Sequence, residues 1–523
     1  MSKVLAPPRW VKVALVAAAI VAIALQWVNT RIAILRMNQN PSSPVVLATY
    51  PIYHSMATGM REGRLGQVDL LAIRDYSLLN NPSAPFVRRP ANAEHQWVNF
   101  YTLDIGYSFI VEVARLAFPT LPDNHLRALA LQLIADAALV WFVFFLFSQW
   151  HLVLGFLAAY LYASNGIFYD LVSFAYYYYW DIPLTFVVLG TMLLAYRRPS
   201  EAAAWLAMGG IALGCAVWLR GSWWPLSLFL CGVAAWERPL RGKLWIPVVL
   251  FVIIAAPLVV RSTRARGQLT FTTRAVWHVA LVGLGYYPNP YGLEAKDGTI
   301  FELTRQKYGV TFKSEDYWLH DQAAKTEFFS IWQKDKAFVI RSFFGRLAES
   351  VLGTTQTSVL SFVFLSNLMY RILCVVGFGA MVIRGGDRRM LAIAAAGTYV
   401  IYALLTCIFY FVGLAYENVS EATRFILFVG ALDAAWYVAQ RASDRLLARR
   451  PVSGTWRDPP LEPAMKRHPT WVPWRSARNL SMLHDLSGNR AVASWFLMIS
   501  TRGPRAAGAG RLTRAANRVT SSA

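Results

Sequence analysis

Residues 124–147 read NHLRALALQLIADAALVWFVFFLF, an apolar stretch in which only Arg127 and Asp136 carry a full charge. About 20 residues of this kind are enough to cross the ~30 Å hydrocarbon core of a bilayer as an α-helix. A chain inside lipid must satisfy its own backbone hydrogen bonds, so it crosses as helices or as a closed barrel. The stretch lacks the alternating pattern of a barrel strand and therefore predicts a transmembrane helix.

Nine further apolar stretches of similar length lie along the chain, and together they predict an all-α integral membrane protein with about ten transmembrane helices. The ten predicted helices are residues 11–28, 124–147, 152–169, 177–196, 201–220, 222–237, 244–260, 357–383, 389–413 and 421–440. The first resembles a signal peptide, but its apolar run is longer and no small-residue cleavage site follows, which favours a retained signal anchor.

The composition agrees with a membrane protein. Of the 523 residues, 56% are hydrophobic and 15% are charged, against about 25% charged in a typical soluble domain. The formal net charge is +22, which in a soluble protein would suggest a nucleic-acid partner. Here basic residues flank predicted helix ends, so we expect membrane lipids as partners and no nucleic acid.

Three short connections between predicted helices are basic: Arg197-Arg198, residues 238–243 and residues 384–389. The positive-inside rule makes their side of the membrane cytoplasmic. With ten helices, both termini are then cytoplasmic, and we expect a multi-pass protein of the plasma (inner) membrane. Two long loops, 29–123 and 261–356, fall on the outer face.

The chain divides into a membrane domain, residues 1–440, and a C-terminal tail, residues 441–523. Within residues 442–523 there are 14 Lys and Arg against four Asp and Glu, with frequent Pro, Gly and Ser. Such a segment buries too little apolar surface to fold alone. We expect a disordered cytoplasmic tail near anionic headgroups.

Each outer loop contains a predicted surface helix. Residues 104–118 place apolar side chains at helical spacing, with Glu112 and Arg115 on the other face. This stretch is too short to span and predicts a helix along the membrane surface. Residues 328–352 are a second candidate.

Several ionisable and aromatic residues gather near the predicted outer face. Asp104 opens the first surface helix and Asp181 opens the fourth membrane helix after the run 176–180, YYYYW; either acid could be a plain helix cap or a functional group. The aromatic run could anchor the protein at the interface or line a groove for a sugar or lipid. Arg220, at the outer end of a helix, could snorkel or hold an anion such as phosphate.

Asp136 and Asp433 lie within predicted membrane helices. An acid at such depth is a functional hypothesis by default, although it can also join helices by hydrogen bonds. The sequence contains no GxxxxGK[ST], GxSxG or HExxH motif and no histidine pair at ligand spacing, which argues against a dedicated zinc or haem site.

Five segments, in order, resemble the GT-C superfamily of polytopic glycosyltransferases, specifically the bacterial relatives of protein O-mannosyltransferases and aminoarabinose transferases (glycosyltransferase family 39-like). The likeness covers roughly residues 10–440. The segments are Tyr53 to Gly63; Asp104-Ile-Gly-Tyr107; Gly209 to Arg220; Ala256-Pro-Leu-Val-Val-Arg261 with Gly267 and Gly285-Tyr-Tyr-Pro-Asn-Pro290; and Glu421-Ala-Thr-Arg424-Phe425.

The resemblance implies a GT-C-like bundle that transfers a sugar, as a hexosyl- or pentosyltransferase, from a polyprenyl-phosphate donor to a glycan, lipid or protein acceptor of the cell envelope. Asp104 and Asp181 are the implied catalytic acids. The implied substrate-binding residues are Tyr53, Tyr107, Arg220, Arg261 and Arg424. A divalent metal ion is left open as a cofactor.

One departure from the family concerns the base. The family commonly has an acid about four residues before the tyrosine of its first surface helix, and this chain has Thr49 and Tyr50 there. A non-catalytic scaffold of the same fold, or a lipid or solute transporter, therefore stays an alternative to the transferase. Transporters often show two related halves and broken midplane helices, and neither is evident in the sequence.

Overall fold

The predicted membrane segments fall on helices of the computed structural model wherever it describes them. It describes residues 9–38, 50–78, 92–101, 104–173, 176–271, 276–313, 317–352, 367–409 and 418–448, all within one unit, residues 1–451. Residues 441–448 continue the last helix. The rest of the predicted tail, Thr49 and residues 353–366 lie outside the described residues.

Nineteen α-helices are described. They are α1 (Arg9–Asn38), α2 (Tyr50–Arg61), α3 (Leu70–Leu78), α4 (Gly106–Ala117), α5 (His125–Ser148), α6 (Leu152–Ser164), α7 (Gly166–Ser173), α8 (Asp181–Arg197), α9 (Ala202–Leu219), α10 (Trp223–Trp236), α11 (Arg238–Arg241), α12 (Trp245–Arg266), α13 (Val276–Leu284), α14 (Asp297–Tyr308), α15 (Tyr317–Lys334), α16 (Lys336–Leu352), α17 (Asn367–Arg384), α18 (Gly386–Phe409) and α19 (Asn418–Ala448). A 3₁₀ turn, Tyr177–Trp180, leads into α8.

The predicted all-α membrane architecture is confirmed. Seven helices in the described ranges are long and apolar enough to cross a membrane, namely those at Trp10–Ile32, His125–Ser148, Tyr177–Arg197, Ala202–Leu219, Trp245–Arg266, Gly386–Ile408 and Asn418–Arg445. The pair α6 and α7, bent by 52° at Asn165, forms an eighth candidate. The other two predicted spans coincide with α10, a shorter apolar helix, and with α17.

A small sheet adds to the helices. Strands β1 (Gln67–Asp69) and β2 (Trp97–Asn99) pair antiparallel, with Val68 opposite Val98. The sheet lies in the first predicted outer loop, between α2 and α4. The predicted surface helix of this loop is α4, and the predicted helix over residues 328–352 is instead two helices, α15 and α16, separated at Asp335.

The three basic connections meet at one end of the bundle, which we call the basic end. Arg197 Nε lies 3.0 Å from Asp387 Oδ2, and Arg389 Nη2 lies 3.2 Å from Glu237 Oε1. Asp433 accepts from Arg388 Nε at 2.7 Å and also from Arg384. Asp433 therefore joins α19 to α17 and α18.

Asp136 likewise joins helices. Its carboxylate accepts from Arg31 Nε at 3.0 Å and Trp27 Nε1 at 2.7 Å on α1, and from Tyr162 OH at 2.8 Å on α6. Arg31 is 2% exposed and Asp136 0%. A buried charge is tolerated when it is paired and hydrogen-bonded, so this pair fastens α1 to the bundle.

Helices α17 and α19 approach closely through glycine. A Cβ on Gly377 would lie 1.9 Å from the Leu427 carbonyl oxygen and 2.8 Å from the Ala431 nitrogen, whereas a Cβ on Gly379 would meet nothing within 4 Å. Small residues at helix crossings let backbones pack against each other in membrane proteins.

We expect Gly377→Ala to lower the unfolding free energy by about 1–3 kcal/mol, because the added methyl forces the two backbones apart. The matched control is Gly379→Ala, two residues away on the same helix, which should be close to wild type. Thermal unfolding of the detergent-purified proteins measures both. Equal midpoints for the two variants would contradict this packing.

The second predicted outer loop is mostly helical, and histidines join its helices. His278 Nδ1 of α13 lies 2.8 Å from His320 Nε2 of α15, and His278 Nε2 lies 3.0 Å from Asp297 Oδ1 of α14. His320 Nδ1 lies 3.0 Å from Thr304 Oγ1. Burial, followed by the neighbouring His278, lowers the pKa of His320 to about 4.

This lowered pKa predicts a loss of stability in acid. Between about pH 6.5 and pH 4 the unfolded His320 binds a proton that the folded one does not, so its contribution falls as pH decreases through that window, by at most ~1.4 kcal/mol per pH unit. In His320→Gln, unfolding followed against pH should show a shallower decline. A decline as steep as that of wild type would refute this origin.

Candidate functional site

Residues from four of the five segments that resemble the glycosyltransferases lie at the end of the bundle opposite the basic end. A Cβ on Gly106, the first residue of α4, would lie 2.5 Å from the Trp218 carbonyl oxygen and 2.8 Å from the Leu219 nitrogen. The lack of a side chain at Gly106 therefore lets α4 begin against the C-terminal end of α9. This contact places the start of α4, with Asp104 and Tyr107 on either side of Gly106, at the end of α9 that Arg220 follows.

Four tyrosines form a buried group above this contact, which we call the tyrosine cluster. The ring centroid of Tyr53 lies 5.2 Å from that of Tyr107, 5.7 Å from Tyr176 and 6.3 Å from Tyr177, all edge to face. Edge-to-face pairs of this kind add to the stability that burial supplies. The aromatic run before α8 is thus packed inside the protein against α2 and α4, not spread along an interface.

Tyr107 is anchored by its hydroxyl, which donates to Gln132 Oε1 at 3.2 Å. Burial, and then the neighbouring Tyr50 and Tyr53, raise the pKa of Tyr107 well above its ordinary value. The phenol is therefore neutral at physiological pH, and the tyrosine cluster offers ring faces and edges without charge.

Below the tyrosine cluster, Asp181 and Arg220 form a buried ion pair. Arg220 Nη1 donates to Asp181 Oδ2 at 2.9 Å, and the two side chains are 4% and 0% exposed. Trp223 Nε1 donates to Asp181 Oδ1 at 2.8 Å, and Asn418 Nδ2 donates to Oδ2 at 2.6 Å. Both oxygens of Asp181 are thus occupied, and its side chain does not act as a helix cap.

Arg220 has a protein partner and does not snorkel. Its guanidinium carbon lies 5.8 Å, 5.3 Å and 5.6 Å from the ring centroids of Tyr177, Tyr178 and Tyr402. Cation–π contact at such distances strengthens when the cation is desolvated. Arg220 therefore couples the buried ion pair to the tyrosine cluster.

Arg261 of α12 lies at the edge of the small sheet. It donates from Nη2 to the carbonyl oxygens of Phe100 at 2.7 Å and Gly66 at 3.3 Å. Gly66 has φ +76°, and a Cβ there would lie 2.5 Å from Nη2, so glycine is required. The carboxylate of Asp104 is close enough to attract the guanidinium electrostatically.

Asp104 is not the helix cap that its position suggested. The residue before α4 is Ile105, and no side chain caps the helix. Asp104 is 2% exposed, and the cap interpretation is wrong because the helix starts two residues later, at the close approach of Gly106 to α9.

Arg424 lies away from these groups. It pairs with Glu421 Oε2 at 3.1 Å on the same helix, and Glu421 Oε1 accepts from Asn165 Nδ2 at 2.8 Å. Arg424 is six residues, or about 9 Å, farther along α19 than Asn418. Its role in substrate binding stays a prediction, and its described ion pair joins α19 to the break between α6 and α7.

Two residues of the site had no signal in the sequence. Asn418 donates to Asp181 and to the Tyr178 carbonyl oxygen at 2.9 Å, and accepts from Tyr402 OH at 2.8 Å. Tyr402 lies mid-way along an apolar helix, where nothing marks it. Asn418 begins the helix that carries the Glu421–Arg424 motif, and only that proximity could have pointed to it.

A charged group borders the tyrosine cluster on α2 and α4. Arg115 Nη2 lies 2.8 Å from His54 Nε2, and Asp123 Oδ1 lies 3.2 Å from the same nitrogen. Burial is the main cause that lowers the pKa of His54 to about 4, and Arg115 adds to it against the opposing effect of Asp123. His54 is therefore neutral at physiological pH.

Within the part of the chain that is described, no group of three or more His, Cys, Asp or Glu side chains is arranged to hold a metal ion. The charged neighbour of Asp104 is the guanidinium of Arg261, and that of Asp181 is the guanidinium of Arg220. The divalent metal ion stays an untested prediction.

Comparison with known proteins gives distant similarities. No family model and no curated protein matches the chain. It is similar to the Archaeoglobus fulgidus oligosaccharyltransferase in the apo form (16% identity, TM-score 0.43, 84% of this chain and 52% of that chain). It is also similar to AglB from the same organism, solved with an inhibitory peptide and a dolichol-phosphate (13% identity, TM-score 0.43, 94% and 56%). The chain spans about half the length of these proteins.

We expect Asp181→Asn to destabilise the protein by about 3–5 kcal/mol, because it leaves the buried Arg220 without its counter-charge. Glu201→Gln is the control, since it makes the same chemical change at an exposed residue before α9. Thermal unfolding in detergent should separate the two by a large margin. If Asp181→Asn unfolds at the wild-type temperature, the ion pair does not hold the site.

Proposed function

We propose that this chain is a GT-C-type membrane glycosyltransferase that moves a sugar from a polyprenyl-phosphate donor to an envelope acceptor at the outer face of the membrane. One observation carries the proposal. The buried carboxylate of Asp104, three residues before Tyr107 of the tyrosine cluster, attracts the guanidinium of Arg261 at the end of the bundle away from the basic end. Acid, cation and aromatic surface are what the transfer needs.

In the proposed reaction, Asp104 is the base. It takes the proton of the acceptor hydroxyl or amine while the acceptor atom bonds to the anomeric carbon of the sugar. The bond from that carbon to the phosphate oxygen breaks, and its electron pair leaves with the lipid phosphate. Asp181 suits this role less well, because Trp223, Arg220 and Asn418 already donate to its oxygens.

Arg261 would offset the charge that grows on the departing phosphate. The rings of Tyr53 and Tyr107 are buried in the tyrosine cluster, and in this proposal they form the apolar support behind the sugar site. Asp181 and Arg220 support this surface from below, so we assign them to positioning.

The orientation is part of the proposal. The basic end carries the short connections that the positive-inside rule assigns to the cytoplasm, so the site would face outward, where lipid-linked sugars are used to build the envelope. Sugar and acceptor are not identified by these residues, and both hexosyl and pentosyl transfer agree with them.

The experiment is mass spectrometry of envelope glycans and polyprenyl-phosphate sugars in a deletion strain complemented with each variant. Wild type and Glu201→Gln should restore one envelope sugar. Asp104→Asn should lower transfer by at least about a hundredfold, the usual contribution of a general base, and its lipid-linked donor should accumulate.

Two results would reject the proposal. If Asp104→Asn, alone and combined with Asp181→Asn, restores the sugar as wild type does, the assigned chemistry is wrong. If deletion changes neither the envelope sugar nor its lipid-linked donor, a non-catalytic scaffold or a transporter becomes the better interpretation. An assay that follows labelled lipid across vesicle membranes then distinguishes these two.

A further inference from the structure

Two arginine–tyrosine stacks lie side by side where α12 ends. The guanidinium carbon of Arg261 lies 4.8 Å from the ring centroid of Tyr101, and that of Arg266 lies 5.2 Å from the ring centroid of Tyr317. The two tyrosine rings are 6.2 Å apart and tilted by 35°. The two guanidiniums of α12 are thus held on neighbouring tyrosine rings. Tyr101 comes from the first predicted outer loop and Tyr317 from the second.

Both guanidiniums keep an unused hydrogen-bond donor. Arg261 Nη1 and Arg266 Nε are screened from solvent, and neither has a hydrogen-bond partner among the residues that the structure describes. A buried donor without an acceptor is costly, and each such group in a folded protein calls for an explanation. An anion between the stacks would supply acceptors to both.

Arg266 forms an ion pair with Asp321, but that contact uses Nη2 and leaves Nε without a partner among the described residues. A cation at a helix C-terminus is favourable, but that attraction does not require the guanidinium to be partly buried, and Arg264 satisfies it while exposed. The contact of Arg266 Nη2 with Asp321 Oδ2 is long, at 3.4 Å. Asp321 Oδ1 instead accepts the Trp277 and His278 backbone N–H groups at 2.7 and 3.2 Å.

We infer that Arg261 and Arg266 together bind one phosphate group, with Tyr101 and Tyr317 holding the planes of the two guanidiniums. Planar guanidiniums suit phosphate because they donate in a fixed fork. This inference rests on the proposed function for the identity of the anion, which we take to be the phosphate of the polyprenyl donor.

The second arginine has a specific purpose in that reaction. A sugar linked through phosphate to a lipid is a phosphodiester with one negative charge. When the sugar leaves, the lipid phosphate becomes a monoester that carries up to two charges. Arg261 matches the first charge, and Arg266 matches the one that appears as the bond breaks. Arg266 should therefore bind the product phosphate more strongly than the donor.

The test is the thermal stabilisation of the purified full-length protein by farnesyl phosphate, with farnesol and inorganic phosphate as comparison probes. We expect farnesyl phosphate to raise the unfolding temperature and farnesol not to. Arg266→Gln should weaken farnesyl phosphate binding by about tenfold to a hundredfold, as expected for the loss of a charged hydrogen bond. Arg264→Gln, in the same helical turn, is the matched control and should bind as wild type does.

Further variants separate binding from folding. Arg266→Lys keeps the positive charge without the forked guanidinium donors, so its affinity for farnesyl phosphate should lie between those of wild type and Arg266→Gln. Tyr317→Phe keeps the aromatic ring and should bind farnesyl phosphate as wild type does. Binding of farnesyl phosphate that is unchanged in Arg266→Gln and Arg266→Lys overturns the inference. Equal weakening in Arg264→Gln also overturns it, because the effect would then be general surface charge.

This outcome is independent of the transfer reaction. Asp104→Asn should bind farnesyl phosphate at least as tightly as wild type does, since it removes a negative charge that attracts the guanidinium of Arg261. If binding depends on Arg266 while no sugar pool changes in the deletion strain, the phosphate site stands and the transferase proposal fails. In an assay of sugar transfer, Arg266→Gln should lower kcat by a larger factor than it raises KM. A larger change in KM than in kcat would contradict the role of Arg266 in stabilising the charge on the departing lipid phosphate.

Discussion

The buried ion pair of Asp181 and Arg220 supports the arrangement of the helices at the end of the bundle opposite the basic end. A charge removed from water is tolerated only with a partner and filled hydrogen bonds, so α8 and α9 must meet at this pair. Asn418 and Tyr402 complete it and bring in α19 and α18. Because Arg220 also packs on Tyr177, the tyrosine cluster inherits its position from the same pair.

The same constraint recurs through the bundle. Asp136 fastens α1 by way of Arg31, and Asp433 joins α19 to α17 by way of Arg384 and to α18 by way of Arg388. These acids were candidates for function because they lie at membrane depth, and the structure gives each a guanidinium and a joining role. Arg261 and Arg266 pack on the rings of Tyr101 and Tyr317, and each has a buried donor atom without a hydrogen-bond partner among the described residues.

Close backbone contacts set the geometry where these groups meet. Gly106 lets α4 begin against α9, and Gly66 leaves room for Arg261 to reach the carbonyl oxygens of the sheet edge. A methyl group at either position would collide with a neighbour at 2.5 Å. The positions of Asp104 and Arg261 therefore depend on the two glycines. So does the proposed assignment of Asp104 as the base and of Arg261 as the residue that stabilises the departing charge.

The helices were predictable from sequence because hydropathy is a local property and lipid demands a continuous apolar run. The basic connections and the start of α8 at Asp181 followed for the same reason. Partners were not predictable: Asn418 is 237 residues from Asp181, and Arg31 is 105 residues from Asp136. Local rules allowed Asp104 to be a helix cap and Arg220 to snorkel, and both of these alternatives failed because packing between helices decides where a chain turns and which charges meet. The sequence by itself determined which segments form the membrane helices, and the tertiary structure alone decided which side chains share one site.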